Sequence, residues 1–250
     1  MADLLHSAGA DVAAATLSAG LVAPFVAACD KAIAEAAAGQ SAVWPSVFKS
    51  LNEMCAAPAT FLRGPAFRCL WIMYGGTYAA ANFFRSYEEG TGTSQPLIKT
   101  SSIFAINCSL SLWKDSKFAK LFSGKPPAPV PKPALVSWYL RDFCGMAMIF
   151  TAPPIIARHM HDSMGVSAGT AEVAAQLGCS LGVQPLQAPL HLHGYVLYND
   201  PAAPLSAQLA AVRGGLWGAV QMRFTRCIAP YCVGTNLNTI IRKRLRPGRP

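Results

Sequence analysis

Residues 173–199 carry no formal charge, and this stretch of 27 residues is the longest of six such runs in the chain. The others are 12–29, 69–84, 100–113, 143–157 and 227–241, of 18, 16, 14, 15 and 15 residues with His counted as neutral. A soluble amphipathic helix places charge every third or fourth position on its wet face. Runs of this kind therefore predict helices buried on all sides or helices in a bilayer.

Composition favours the bilayer. Only 13% of the 250 residues are Asp, Glu, Lys or Arg, about half the ~25% of a soluble globular chain. Hydrophobic residues make up 52%, and the mean hydropathy is positive. The few charges are biased, 21 Lys plus Arg against 12 Asp plus Glu, a net +9. Nucleic-acid binders add basic charge to a normally polar surface, whereas here charge is scarce as well as basic. That pattern points away from nucleic acid, toward a membrane protein whose loops carry the cations or toward handling of anionic solutes.

Several runs fall short of the ~20 apolar residues that cross a hydrocarbon core. Charged residues crowd their ends, where long side chains can snorkel, so short polar-marked spans sharing a water-filled cavity are expected. Prolines 24, 153, 154, 185, 189 and 230 lie in or beside the runs; kinked helices are tolerated in membranes because neighbours re-satisfy the freed carbonyls. The stretch 123–133, SGKPPAPVPKP, must be an extended loop. Between 30 and 64 an amphipathic helix is expected around Val43, Val47, Phe48, Leu51 and Met54, closed by Pro58 and Pro65. The N-terminus lacks the basic region of a secretory signal and the arginines of a cleavable presequence, so targeting information is expected to be internal. The eight cysteines show no C-x-x-C and read as small hydrophobes in a reducing compartment or in lipid, with neither a disulfide framework nor a metal site expected.

The runs also repeat. Pro24, Asn107 and Pro189 stand mid-run in the first, third and fifth, 83 and 82 residues apart, and Arg68, Arg141 and Arg226 open the second, fourth and sixth. The predicted fold is all-α: one six-transmembrane-helix bundle of three degenerate helix-pair repeats, about 10–90, 97–162 and 170–245.

Five segments, GGTYAAANFF, TSSIFAINCSLSLWKDSKFAKLF, LRDFCGMAMIFTAPP, APLHLHGYVLYNDP and RCIAPYCVGTNLN, resemble in the same order a family of eukaryotic mitochondrial multi-pass membrane proteins found in fungi and other lineages. That family is in turn remotely similar to the mitochondrial solute carriers. The resemblance implies three repeats of two helices, no cleavable presequence and a central cavity open alternately to each side, in the mitochondrial inner membrane more than the outer. The carriers' P-x-[DE]-x-x-[KR] gate is altered here: Pro24 is followed by Asp30 and Lys31, Asn107 replaces the second proline, and the third copy reads Pro189-Leu-His191.

The candidate site residues follow from these positions. Arg68, Arg141 and Arg226 either hold an anionic solute in a cavity, since the guanidinium fork suits carboxylate or phosphate, or snorkel to lipid headgroups. His191, two residues after a proline in an apolar run, is a candidate polar cavity group. Asn82 and Asn107, with Asn236 and Asn238, either contact solute or hydrogen-bond between helices, and Gly75-Gly76 reads as close helix packing. Asp30-Lys31 and Lys114-Asp115 either build an ionic network closing one side of the cavity or are surface charges. Adjacent residues on a helix do not face each other, so each is expected to find partners elsewhere.

The H-x-H pairs His159/His161 and His191/His193 cannot share a metal on a helix. No P-loop, dinucleotide fingerprint, nucleophile elbow or H-E-x-x-H is present, so neither an enzyme nor a cofactor is expected. The tail IRKRLRPGRP reads as a helix end anchored at an anionic membrane surface. The expected function is binding or transport of a small anionic metabolite by alternating access. The alternative is a non-transporting accessory subunit of a mitochondrial membrane complex. Six positive charges against two negative ones over 114–142 put that loop on the matrix side, whereas six spans would then place the basic tail opposite.

Overall fold

Prolines open the helices of this chain. Because proline fixes φ near −65° and lacks the N–H that a first turn leaves unbonded anyway, it is suited to that turn. In a computed structural model, which describes residues 2–246, prolines stand in the first turn of helices α3 (Pro58–Arg63), α4 (Pro65–Thr91), α6 (Lys132–Met146), α7 (Ala152–Met164) and α9 (Gln184–Asn199), and one begins α5 (Pro96–Phe122). The remaining helices are α1 (Ala2–Ala37), α2 (Val43–Ala56), α8 (Ala168–Gly182), α10 (Leu205–Ile228) and α11 (Thr235–Leu245). Helix is the only regular structure among the described residues. Gly92 and Gly165, both at positive φ, end α4 and α7 by donating back to the carbonyls of Glu88 and Met160, the usual glycine C-terminal stop.

Prolines inside the apolar runs are absorbed in two ways. Pro24 and Pro189 sit within α1 and α9. Ahead of Pro153 and Pro154, residues Ala147–Thr151 widen to a π-helical turn that joins α6 to α7, and Ala229–Gly234, containing Pro230, does the same between α10 and α11. A π turn carries one extra residue and frees a carbonyl; Tyr78 Oη donates to the Pro230 carbonyl at 3.3 Å.

Among the described residues, length and hydropathy make two stretches capable of crossing a membrane, Ala8–Ala37 and the continuous Lys132–Met164. The six-span expectation counted uncharged runs. The longest run, 173–199, is divided at Val183 between α8 and α9, helices of 15 and 16 residues that are each too short to span, and the remaining runs lie in helices with Lys, Arg, Asp or Glu close to the run's ends.

The chain divides into two compact units, the first made of Met1–Ala32, Trp44–Phe118 and Ile228–Pro250, the second of Ile33–Val43 and Ala119–Cys227. In the first, α1 is buried along Ala14, Ala15, Ala19, Val22, Ala23 and Val26, small residues that let helix backbones approach. α4 packs on it: Trp71 Nε1 donates to the Thr16 carbonyl at 2.9 Å. A Cβ on Gly75 would meet Ala19 Cβ at 3.8 Å, and one on Gly76 would come within 2.6 Å of Leu110 of α5.

In the second unit, α6 and α9 exchange side chains through a pair of glycines. Gly145 of α6 leaves the space that Gln187 fills, and Gly194 of α9 leaves the space that Trp138 fills. Each inserted side chain then bonds the opposite backbone: Gln187 Nε2 donates to the Arg141 carbonyl at 2.8 Å, and Trp138 Nε1 to the His191 carbonyl at 3.2 Å. α7 and α8 form a hairpin over Ala157, Ala171 and Ala175.

Candidate functional site

Three buried polar clusters stand out. Two belong to the first unit and lie at opposite ends of the uncharged stretch of α1, at Asp11 and Asp30. At 1.5 Å per residue these carboxylates are about 28 Å apart along the helix, close to a hydrocarbon core thickness.

At Asp30, Lys114 Nζ lies 2.6 Å from Asp30 Oδ2 and 2.6 Å from Asp115 Oδ1, with all three side chains at most 2% exposed. The same ammonium stands 5.4 Å from the centre of the Phe118 ring, within cation–π reach. Three of the four residues expected to form an ionic network are thus together. Lys31 turns instead to Glu53 of α2, at 3.5 Å. The expectation that neighbours in sequence cannot pair also needs correcting, because Lys114 bridges Asp115 directly and Arg141 bridges Asp142 at 2.7 Å. The Cβ directions diverge, but long cationic side chains reach around the helix where burial leaves them little other choice.

At Asp11, two arginines of the C-terminal segment converge. Arg242 Nε donates to Asp11 Oδ1 at 2.8 Å and its Nη groups donate to Glu89 of α4 at 2.8 and 2.7 Å. Arg246 Nη1 donates to Ser86 at 2.7 Å and to Glu89 at 3.2 Å, and Ser86 donates to Asp11. The hydrogen bond from Arg242 holds the Glu89 carboxyl below its usual range, against a smaller opposing effect of burial. Burial also works against the charge on Arg242, but its bonds to Glu89 and Asp11 outweigh this and hold its pKa above the ordinary value. The basic tail expected to lie on anionic lipid is therefore split, with Arg242 and Arg246 turned into protein while Lys243 and Arg244 are exposed. Residues 247–250 lie outside the described residues.

The candidate asparagines are held between helices. Asn82 donates to the Asp11 carbonyl at 3.0 Å and exchanges amide hydrogen bonds with Asn238. Asn107 donates to Thr77 Oγ1 at 3.1 Å, joining α5 to α4. Asn236 is exposed.

The third cluster belongs to the second unit. Arg223 of α10, 1% exposed, donates from Nε to Gln184 Oε1 at 3.1 Å and from Nη2 to Gln187 Oε1. Its Nη1 lies 3.2 Å from His191 Nδ1. A guanidinium is a donor only, so His191 Nδ1 accepts, which leaves the proton of a neutral ring on Nε2. His191 is fully enclosed and its ring centre lies 5.1 Å from that of Tyr195. Gln187 links this group to the Arg141 carbonyl. Of the expected binding residues, His191 lies in this group, and Arg141 is tied to it through its main-chain carbonyl while its guanidinium bridges Asp142. Arg226 is half-buried on α10, and Arg68 belongs to the first unit and is exposed.

The sequence reading missed Arg223, Gln184, Gln187, Asp11, Glu89, Arg242 and Arg246 as site residues. Arg226 opens an uncharged run, yet Arg223, one helical turn earlier, is the arginine that bonds to α9. His159 and His161 are exposed, His161 Nδ1 facing the Val166 carbonyl at 2.9 Å, and His193 lies between Ser137 and Gln208. Among the described residues no group of three or more His, Cys, Asp or Glu is arranged to hold a metal ion.

No curated protein and no solved structure matches the chain. A protein family described as "Probable citrulline exporter" matches residues 14–246, which takes in Asp30, Lys114, Glu89, Arg223 and Arg242 together with the helices that carry them. The chain accordingly belongs to the family of probable citrulline exporters, and is a membrane, transporter-like protein for a small metabolite.

Proposed function

We propose that the protein exports a small zwitterionic amino acid, citrulline in the first place, by exposing a binding group alternately to the two sides of a membrane. The observation that carries this reading is the placement of Asp11 and Asp30. Each is a buried carboxylate at one end of the uncharged stretch of α1, and each is bonded to cations from other helices. Ionic networks a membrane thickness apart are suited to opening in turn, because a pair that opens toward water exchanges its partner for solvent instead of being stranded.

The cluster around Arg223 has the chemistry for the solute. An α-carboxylate is an acceptor that a guanidinium fork binds more strongly than neutral amides, and Gln184 and Gln187, whose amides already donate to the Ser180 and Arg141 carbonyls and accept from Arg223, each keep a second N–H suited to the neutral ureido oxygen of citrulline. The anionic group expected from the arginines becomes the carboxylate of a zwitterion. Resemblance to mitochondrial multi-pass proteins and to the carriers supports a six-helix arrangement in the mitochondrial inner membrane, without enzymatic activity. Pairing of Arg242 and Arg246 with acids weakens the tail as an orientation signal, which favours the Lys114 end on the matrix side.

The test is exchange of labelled citrulline by proteoliposomes holding the full chain, alongside ornithine, arginine, dicarboxylates, nucleotides and phosphate. Citrulline exchange that Asp30→Asn and Arg223→Gln each lower supports the reading. A flat panel from folded protein overturns it in favour of an accessory subunit of a membrane complex.

A further inference from the structure

Helix α2 is built inside out for a protein in water. The side chains it buries are Ser46, Val47 and Ser50, while Trp44 and Phe48, in ring contact at 6.1 Å, are 41% and 64% exposed. By helical geometry Trp44, Phe48 and Leu51 form an i, i+4, i+7 stripe, and Lys49, Asn52 and Glu53 lie on a different face. The helix thus has a covered face, a polar face and an uncovered aromatic face.

The position of this segment along the membrane follows from its ties to α1. Glu53 is bonded to Lys31, one residue beyond Asp30. α4 runs antiparallel to α1, since Trp71 meets Thr16 and Asn82 meets Asp11, so its first turn, with Arg68, lies toward the Asp30 end. Between 44 and 68 the cations are Lys49, Arg63 and Arg68 and the acid is Glu53. All three cations are exposed, and Leu62 beside Arg63 is 43% exposed.

We infer that residues 44–68 form an interfacial element that binds anionic lipid. Trp44, Phe48 and Leu62 enter the boundary between acyl chains and headgroups, and Lys49, Arg63 and Arg68 engage headgroup phosphates. Three features select a lipid surface as the occupant: the aromatic face stands where a spanning α1 reaches its polar end, its Trp is of the residue type that gathers at that depth, and the surrounding charge is of the sign that anionic headgroups attract. Arg68 thereby takes up the snorkelling role and leaves solute binding to the second unit. Lipid binding here does not depend on which solute is exported.

The experiment uses full-length protein in neutral detergent, titrated with phosphatidylglycerol or phosphatidylcholine while its unfolding temperature is followed. Phosphatidylglycerol is expected to stabilise the wild type at lower concentration than phosphatidylcholine. The triple variant K49Q/R63Q/R68Q, altered only at exposed positions, is expected to require on the order of 100-fold more, from about fivefold per cation near a surface. The pair K243Q/R244Q, which removes exposed cations of α11 outside the element, is expected to require a clearly smaller increase than the triple variant, since two cations are lost and not three and no aromatic face accompanies them. In nanodiscs of brominated lipid, Trp44→Phe is expected to remove a quenched component of tryptophan emission. A triple variant that titrates like the wild type, a larger loss in K243Q/R244Q, or unchanged quenching in Trp44→Phe would each overturn the inference, and transport activity enters none of these readouts.

Discussion

Asn82 and Asn238 lie 156 residues apart and exchange hydrogen bonds through both amides, at 2.9 and 2.8 Å, while Asn82 also donates to the Asp11 carbonyl. Both side chains are buried, so the pair fastens α11 to α4 beside the Asp11 network. Replacing either one strands the other. Asn82→Leu and Asn238→Leu should each destabilise by about 1–3 kcal/mol. The double variant should lose clearly less than the sum, as read from unfolding midpoints in detergent.

Lys114 serves two buried carboxylates, and removing it should be costlier than removing either acid. Lys114→Met is expected to destabilise by roughly 3–5 kcal/mol, the usual effect of breaking a buried pair from one side. Asp30→Asn, which leaves Asp115 to the ammonium, should lose less. If the two variants unfolded at the same temperature, the shared-cation reading of this cluster would fail.

The Asp11 network gives a pH dependence with a defined sign. Glu89 is held below its ordinary value, first by the hydrogen bond from Arg242. A depressed carboxylate contributes stability that is complete above its unfolded pKa, about 4.3, and is lost as pH falls through the folded value. Arg242 has its pKa raised, stays charged throughout and adds nothing to that slope. Between pH 7 and pH 3 the unfolding temperature of Glu89→Gln should therefore fall less than that of the wild type.

Gly194 is required by the ring that fills its place. A Cβ there would overlap the Trp138 indole, a rigid group that also donates to the His191 carbonyl. Gly194→Ala should destabilise by about 1–3 kcal/mol through overpacking. It should also disturb the Arg223 cluster, visible as weaker citrulline exchange even at temperatures where the protein stays folded.

Arg223→Lys tests geometry apart from charge. Lysine keeps the cation but loses the planar fork that reaches Gln184, Gln187 and His191 together. Exchange should drop by about tenfold or more, the equivalent of one charge-assisted hydrogen bond at roughly 1.5–3 kcal/mol, with little change in that of Arg68→Gln.

How much of this was legible in the sequence varied with the kind of question. The helices were readable because uncharged runs mark them, but Pro58 and Pro65, expected to close a helix, instead open α3 and α4. The stretch from Val43 to Met54 could be read as amphipathic, but not which face is covered: Ser46 and Ser50 point inward while Phe48 points out, a choice made by packing rather than by polarity. Asp30 and Lys114 were found because each belongs to a pair of adjacent opposite charges at the end of a run, the first and the third. Asp11 and Arg242 also end runs, the first and the last, yet no local pattern pairs residues at the two extremes of a chain. Gln184 and Gln187 were invisible for another reason, since glutamine in an apolar run looks like a gap in the pattern until Gly145 shows where its side chain goes.

The π turn at Ala147–Thr151 carries a further consequence. One extra residue stored in a helix is a unit of displacement: if it passes along the helix, every residue it crosses is rotated by about 100° and advanced by about 1.5 Å without a break in the backbone spiral. The stretch from α6 to α7 therefore holds a ready-made increment by which the faces of its two halves can be dealt differently, and so does the stretch from α10 to α11, one half of which carries Arg223 and the other Arg242. A single stored residue on each of these helices acts as a screw thread only if it moves, when a small slide would change which side chains look inward.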